Sequence, residues 1–214
     1  IYIAGKITSQ DPIDGSFNDY SDAFISKYNP DGTKDWTRIF GSHIDGPLDL
    51  LEDDPYLFSN TFESPNEDSV NAITTSSDGS IYITGFTRGE LDGQTFNGGG
   101  SDAFLSKFNS DGTKDWSRLL GSSDYDNANG ITTGSDGSIY IAGYTNADLD
   151  GQTNNGELDV FISKFNPDGT KEWTRLLGSS EDDWANAITT GSDGSIYIAG
   201  GTCEDLDGQT NSGY

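Results

Sequence analysis

The sequence predicts an all-β fold made of repeated four-stranded antiparallel sheets, and three observations support this. A segment of about 57 residues recurs along the chain, which indicates a repeat architecture. The chain contains 28 glycines, several of them in Asp-Gly pairs that are typical of tight hairpin turns. Hydrophobic residues make up 32% of the chain and occur in runs that are too short to cross a membrane as a helix.

The repeat is easiest to follow through the motif Ile-Tyr-Ile-x-Gly, whose tyrosines are Tyr2, Tyr82, Tyr140 and Tyr197. The last two intervals are nearly equal, and the first is longer by roughly 22 residues, which we interpret as an insertion at 43–69. One region over 1–214 is therefore predicted, with repeats at 1–80, 81–138, 139–195 and, in part, 196–214. Because the chain starts inside a motif and has no methionine, we expect it to be a fragment.

Each repeat holds four short segments with strand character. One such set is Val160 to Phe165, Lys171 to Leu177, Ala185 to Thr190 and Ser195 to Ala199. Asp-Gly pairs such as Asp168-Gly169 join them, and glycine there accepts a positive φ without a Cβ clash. Four strands joined by hairpins make one antiparallel sheet, and sheets of this size stack radially as the blades of a β-propeller.

Three segments carry a family resemblance: DGSIYIAGYT, DVFISKFNPDGTKEW and LLGSSEDDWANAI. They resemble the bacterial β-propeller repeat family (SBBP) and, more remotely, NHL-type blades, over nearly the whole chain apart from the insertion. The resemblance implies a β-propeller in a secreted or cell-surface bacterial protein. It implies no particular activity, because propellers host many functions.

Most of the 36 acidic residues are predicted to lie on one face of the propeller. In a meander, the loop between the second and third strands and the loop to the next blade share one end, which we call the upper face. These loops are predicted to contain, among others, Asp68, Asp102, Asp126, Asp159 and Asp183. The net charge of the chain is −25. Such a field attracts cations and basic partners and repels nucleic acid. We expect a protein or glycan partner here, no nucleic acid and no membrane insertion; alternatively, the acidic loops only keep the protein soluble.

The loop after the second strand has the spacing of a calcium-binding loop. Asn146-x-Asp148-x-Asp150-Gly151-x-x-Asn154 resembles the calcium hairpins of integrin-α-type propellers, with asparagine at both ends. Alternate oxygen side chains can converge on a hard cation around a glycine turn. The resemblance implies Ca²⁺ ligands at Asn146, Asp148, Asp150, the Gln152 carbonyl and Asn154, and in a less complete copy at Asp205, Asp207 and Asn211. The alternative is that Asp-Gly only makes a turn.

Four tryptophans divide into two groups. Trp36, Trp116 and Trp173 recur in the fourth strand with Lys and Arg two residues to either side, which predicts packing between blades with a cation on the ring. An exposed carbohydrate-stacking platform is the alternative. Trp184 does not recur and is assigned to an upper-face loop, so it is a candidate ligand contact, with partial core packing as the alternative.

No catalytic set is recognisable in the sequence. The one histidine, His43, lies in the insertion, and the one cysteine, Cys203, excludes an intramolecular disulfide. We therefore predict a non-enzymatic, calcium-stabilised module with a structural, adhesion or partner-binding role, capable of self-association through open blade edges. A carbohydrate-binding propeller is the first alternative. A glycoside-active enzyme is the second, because carboxylate pairs are abundant.

Overall fold

The protein, described by a computed structural model over residues 1–10, 17–41 and 67–212, contains thirteen β-strands and no helix in those ranges. The strands are β1 Tyr2–Gln10, β2 Phe17–Tyr28, β3 Lys34–Phe40, β4 Asp68–Thr75, β5 Ile81–Thr87, β6 Asp102–Phe108, β7 Lys114–Leu120, β8 Asp126–Thr133, β9 Ile139–Thr145, β10 Asp159–Phe165, β11 Lys171–Leu177, β12 Asp183–Thr190 and β13 Ile196–Thr202.

The strands form four antiparallel sheets in which neighbours in sequence are neighbours in space. Blade 1 is β1-β2-β3, blade 2 is β4-β5-β6-β7, blade 3 is β8-β9-β10-β11 and blade 4 is β12-β13. The predicted all-β fold and the predicted four-stranded meander are confirmed. Residues 42–66, which include His43 and most of the predicted insertion, lie outside the described residues, whereas Asp68 and Ser69 belong to β4.

The hydrophobic core lies between the blades, because the middle strands bury both of their faces. In β9, Ile139 and Ile141 join the cluster between blades 2 and 3, while Tyr140 and Ala142 join the cluster between blades 3 and 4. Successive side chains of a strand point to opposite faces, so a continuous apolar run serves two interfaces at once. Blades 2 and 3 are therefore each held by the blade on either side.

The recurrent tryptophans also connect neighbouring blades, as the sequence predicted. The Arg118 guanidinium lies 5.1 Å from the Trp116 ring centre, and Arg118 Nε donates to Gly169 O of blade 3 at 3.0 Å. A Cβ at Gly169 would stand 3.0 Å from the indole of Trp116, so the turn packs directly on the ring. The cation on each ring is arginine, whereas the lysine before the tryptophan pairs with an aspartate of the preceding loop.

Candidate functional site

The predicted calcium loop of blade 3 is built around a tight turn. Leu149 and Gln152 exchange backbone hydrogen bonds of 3.1 and 2.9 Å, and between them Asp150 and Gly151 have φ of 54° and 73°. Two consecutive positive φ values define a type I′ turn, for which Asp-Gly is a preferred sequence. The same conformation recurs at Asp92 and Asp207.

Two contacts hold this loop against its own sheet. The Leu149 side chain is 1% exposed and belongs to the core between blades 2 and 3. The Asp150 carboxylate forms an ion pair with Lys171 and accepts a hydrogen bond from the Thr174 hydroxyl, both on the fourth strand. The loop of blade 2 repeats this arrangement, with Leu91 in the core and Asp92 bound to Lys114.

Three of the other four predicted calcium ligands, Asp148, Gln152 and Asn154, also have protein partners. Asp148 Oδ1 accepts from Asn154 N at 2.9 Å, and Asn154 Oδ1 accepts from Gly156 N at 2.9 Å. The Gln152 carbonyl is the acceptor for Leu149 N. Within the described ranges, no three acidic, histidine or cysteine side chains are grouped as metal ligands. The geometry favours a structural turn, and calcium at this loop stays a prediction from the sequence.

The partial copy in blade 4 has the same internal bonding. Asn211 N donates to Asp205 Oδ1 at 2.8 Å, and Asn211 Nδ2 donates to Thr202 O at 3.3 Å. Asp207 occupies the first position of the type I′ turn. These three predicted ligands thus lie in one loop whose bonds match those of blade 3.

Five aspartates assigned to exposed upper-face loops are buried instead. Each is the first residue of a strand and is at most 1% exposed: Asp68, Asp102, Asp126, Asp159 and Asp183. In blade 3, Asp126 and Asp159 both stand opposite Thr145 in the strand register, so all three side chains point to one face of the sheet. The prediction of exposed charge at these positions is wrong because the strands begin one or two residues earlier than the apolar pattern indicates.

The upper face nevertheless keeps exposed acidic side chains. They include Glu90, Asp148, Glu157, Glu181, Glu204, Asp205 and Asp207. In the described part of the chain none of these has a lysine or arginine within ion-pair distance, whereas the carboxylates of Asp92 and Asp150 are neutralised by lysines. The exposed negative charge is therefore concentrated in loop side chains.

Trp184 lies in β12, not in a loop. Its side chain is half-buried and covers Gly201 so closely that a Cβ there would collide with the indole. It borders a shallow pocket lined also by Val160, Leu177, Ile198 and Leu206. The indole of Trp184 packs against its own sheet and also borders an apolar pocket, so core packing and ligand contact both stay open as interpretations.

The buried aspartates are the feature that sequence reasoning missed. For Asp102 and Asp159 the signal was an aspartate directly before an Ala-Phe or Val-Phe pair. For Asp68, Asp126 and Asp183 it was an aspartate three residues before an asparagine. The surrounding excess of acidic residues concealed it.

No helix in the described ranges is long and apolar enough to cross a membrane.

Comparisons with known proteins match parts of the chain to β-propeller repeats. A family model described as "Beta-propeller repeat" (SBBP) matches residues 115–150 and 172–206, and a second described as "Domain of unknown function (DUF5122) beta-propeller" matches residues 134–172. The chain is also 31% identical over 174 residues to "Regulatory protein FlaEY" of Caulobacter vibrioides. The alignment covers 73% of this chain and 18% of that protein, so the chain spans less than a fifth of its relative.

Proposed function

Because the chain carries β-propeller repeats of the SBBP family, we propose that it is a non-enzymatic module that binds a partner through the exposed acidic side chains of its upper face. The observation that carries this proposal is the row of unneutralised carboxylates repeated from blade to blade. Glu90, Glu157 and Glu204 come from equivalent loops, and Glu181 comes from the loop between blades 3 and 4. Repeated charges of one sign on a rigid scaffold suit an extended basic partner.

The proposed setting is the cell surface or the extracellular space, with a structural or adhesion role. The family resemblance supports this setting. A regulatory role would use the same surface, and the description of the relative as a regulatory protein supports it. Protease treatment of intact cells tests the location: an accessible protein supports the proposal, and a protein degraded only after lysis contradicts it.

Binding is tested with a fluorescent lysine-rich peptide, using anisotropy at fixed ionic strength. The triple variant Glu90→Gln, Glu157→Gln, Glu181→Gln is expected to bind about tenfold more weakly, because rim charges contribute modestly each. A control that removes the same charge at the opposite end of the blades combines Asp35→Asn, Asp115→Asn and Glu172→Gln, and it is expected to change affinity by less than about twofold. Equal weakening in both variants would show a response to net charge alone and would refute the proposal.

Carbohydrate binding is the second candidate, and the pocket beside Trp184 favours it. An indole edge next to apolar residues suits the apolar face of a sugar ring. The test is a glycan array with the wild-type chain and the Trp184→Ala variant. A glycan retained by the wild type and lost by the variant supports this function, while identical profiles or no binding would leave the acidic surface as the site.

A further inference from the structure

Between neighbouring blades, two buried carboxylates lie against one glycine turn. Asp102 starts β6 of blade 2, Asp126 starts β8 of blade 3, and both are 0% exposed. A Cβ at Gly121 would collide with the Asp102 carboxylate, and the amide of the next residue, Ser122 N, donates to Asp126 Oδ2 at 2.6 Å. Both carboxylates therefore lie against the Gly121-Ser122 segment.

Each carboxylate has one oxygen bound and one oxygen without a partner. Asp102 Oδ2 accepts from Asn97 N at 2.9 Å, and Asp126 Oδ2 accepts from both the amide and the hydroxyl of Ser122. In the described part of the chain, Oδ1 of Asp102 and Oδ1 of Asp126 are buried without a hydrogen-bond partner. The Thr145 hydroxyl donates to Ala147 O at 2.9 Å and also lies beside Asp126, where it opposes the rise that burial causes in the pKa of that carboxyl.

The arrangement is repeated one blade further along. Asp159 and Asp183 are both 0% exposed, their Oδ1 atoms lack partners, and a Cβ at Gly178 would collide with the Asp159 carboxylate. Ser179 donates to Asp183 Oδ2 through its amide and its hydroxyl, at 2.5 and 2.7 Å. Both loops contain the sequence Gly-Ser-Ser, so the same residues produce the same arrangement in both repeats.

The interface between blades 1 and 2 shows that such a pair converges on one point. A Cβ at Gly41 would lie 2.9 Å from Asp68 Oδ2 and closer still to Asp22 Oδ1. Both carboxylates are thus directed at the same small volume beside a glycine. The glycine keeps that volume free of side-chain atoms at all three interfaces.

Two buried carboxylates need a compensating positive charge. Leaving ionised groups buried without a partner costs several kcal/mol each, and no described lysine or arginine lies within ion-pair distance of Asp102 or Asp126. Burial, with a smaller contribution from the Asp126 charge and against the Asn97 amide, raises the pKa of Asp102 to about 6. Carboxylate oxygens that lack hydrogen-bond donors are ligands that Ca²⁺ prefers.

We propose that two of these interblade aspartate pairs each bind a divalent cation, Ca²⁺, which joins one blade to the next. Asp102 with Asp126 forms one site, and Asp159 with Asp183 forms the second. Since Ca²⁺ takes 6–8 oxygen ligands, backbone carbonyls and water complete the coordination. These sites differ from the Asp-Gly loops that the sequence pattern suggested, whose donors bind protein partners.

The test is calcium titration of the full chain by calorimetry, together with melting temperature in calcium, magnesium and chelator at constant ionic strength. At calcium about 100-fold above Kd, each site is expected to raise the melting temperature by about 5–10 °C. Asp126→Asn is expected to lower the binding stoichiometry by one ion per chain. Asp102→Asn is expected to have the same effect, because it removes the other carboxylate of the same site. It serves as the second variant if Asp126→Asn does not fold.

The matched control is the double loop variant Asp148→Asn, Asp205→Asn, which is expected to keep the wild-type stoichiometry. Loss of calcium binding in the loop variant but not in Asp126→Asn would overturn the proposal in favour of the loops. A wild-type chain that binds no calcium at pH 7.5, and whose melting temperature rises from pH 7 to pH 5 regardless of calcium, would also overturn it. That result would mean that each pair shares a proton. None of these readouts measures partner binding, so they are independent of the proposed function.

Discussion

Replacing Leu149 by alanine tests whether the Asp-Gly loops act as part of the core. Leu149 is 1% exposed between blades 2 and 3, and truncation of a fully buried leucine costs about 2–5 kcal/mol, depending on how far the cavity collapses. We take about 3 kcal/mol as the expected loss, because the loop is anchored by Asp150 and collapses little. For a chain of this size that loss lowers the melting temperature by about 6–12 °C.

The control for this prediction is Leu206→Ala. Leu206 occupies the same place in the loop of blade 4, with the same turn, but it is only partly buried. Its truncation is expected to cost less than about 1.5 kcal/mol, since less apolar area leaves water on folding. Urea unfolding followed by tryptophan fluorescence gives both values by linear extrapolation. If Leu149→Ala costs no more than Leu206→Ala, the loop does not contribute to the core and the reasoning fails.

Three further predictions concern the turns and the blade contacts. Hydrogen bonds from Ser76 and Ser80 hold the pKa of Asp78 at about 2, below its value in the unfolded chain. The stability that the Asp78 carboxylate contributes is therefore lost as the pH falls from about 4 to 2. Asp78→Asn should flatten that part of a plot of urea midpoint against pH. Arg118→Gln should lower the free energy of unfolding by about 1–2 kcal/mol, and Arg175→Gln should lower it less. Both guanidiniums lie over a tryptophan ring, but of the two only that of Arg118 also binds a carbonyl of the next blade, so equal losses would contradict this. Asn129→Asp, which removes a 2.9 Å donor to the next blade, should lower the melting temperature, whereas the exposed Asn186→Asp should not.

The architecture could be predicted because its signals are local and repeated. Ile139 to Ala142 form an uninterrupted apolar run, and the structure uses it on both faces of one strand. The contacts of the recurrent tryptophans could be predicted because each has a lysine and an arginine two residues away in the sequence. A period that recurs in the sequence needs no knowledge of the tertiary structure, which explains why the blades and their turns were predicted correctly.

The site could not be predicted to the same depth, because its contacts are not local. Asp150 meets Lys171 across 21 residues, and this pairing explains why the loop folds onto the sheet. Asp126 was predicted to be exposed because a charged residue at the end of an apolar strand pattern is normally assigned to a loop. Its burial depends on the neighbouring blade, which no pattern within one repeat describes.

The ring contacts in blades 1, 2 and 3 have a consequence for how such a chain can vary in length. Tyr2 with Trp36, Tyr82 with Trp116 and Tyr140 with Trp173 each have a centroid separation of 6.2 Å. A blade therefore presents the same profile to its neighbour wherever it stands in the chain, and its energy depends on the adjacent blades alone. Gene duplication can add or delete such a unit without redesigning any junction, so selection on blade number can proceed separately from selection on the loops that meet a partner.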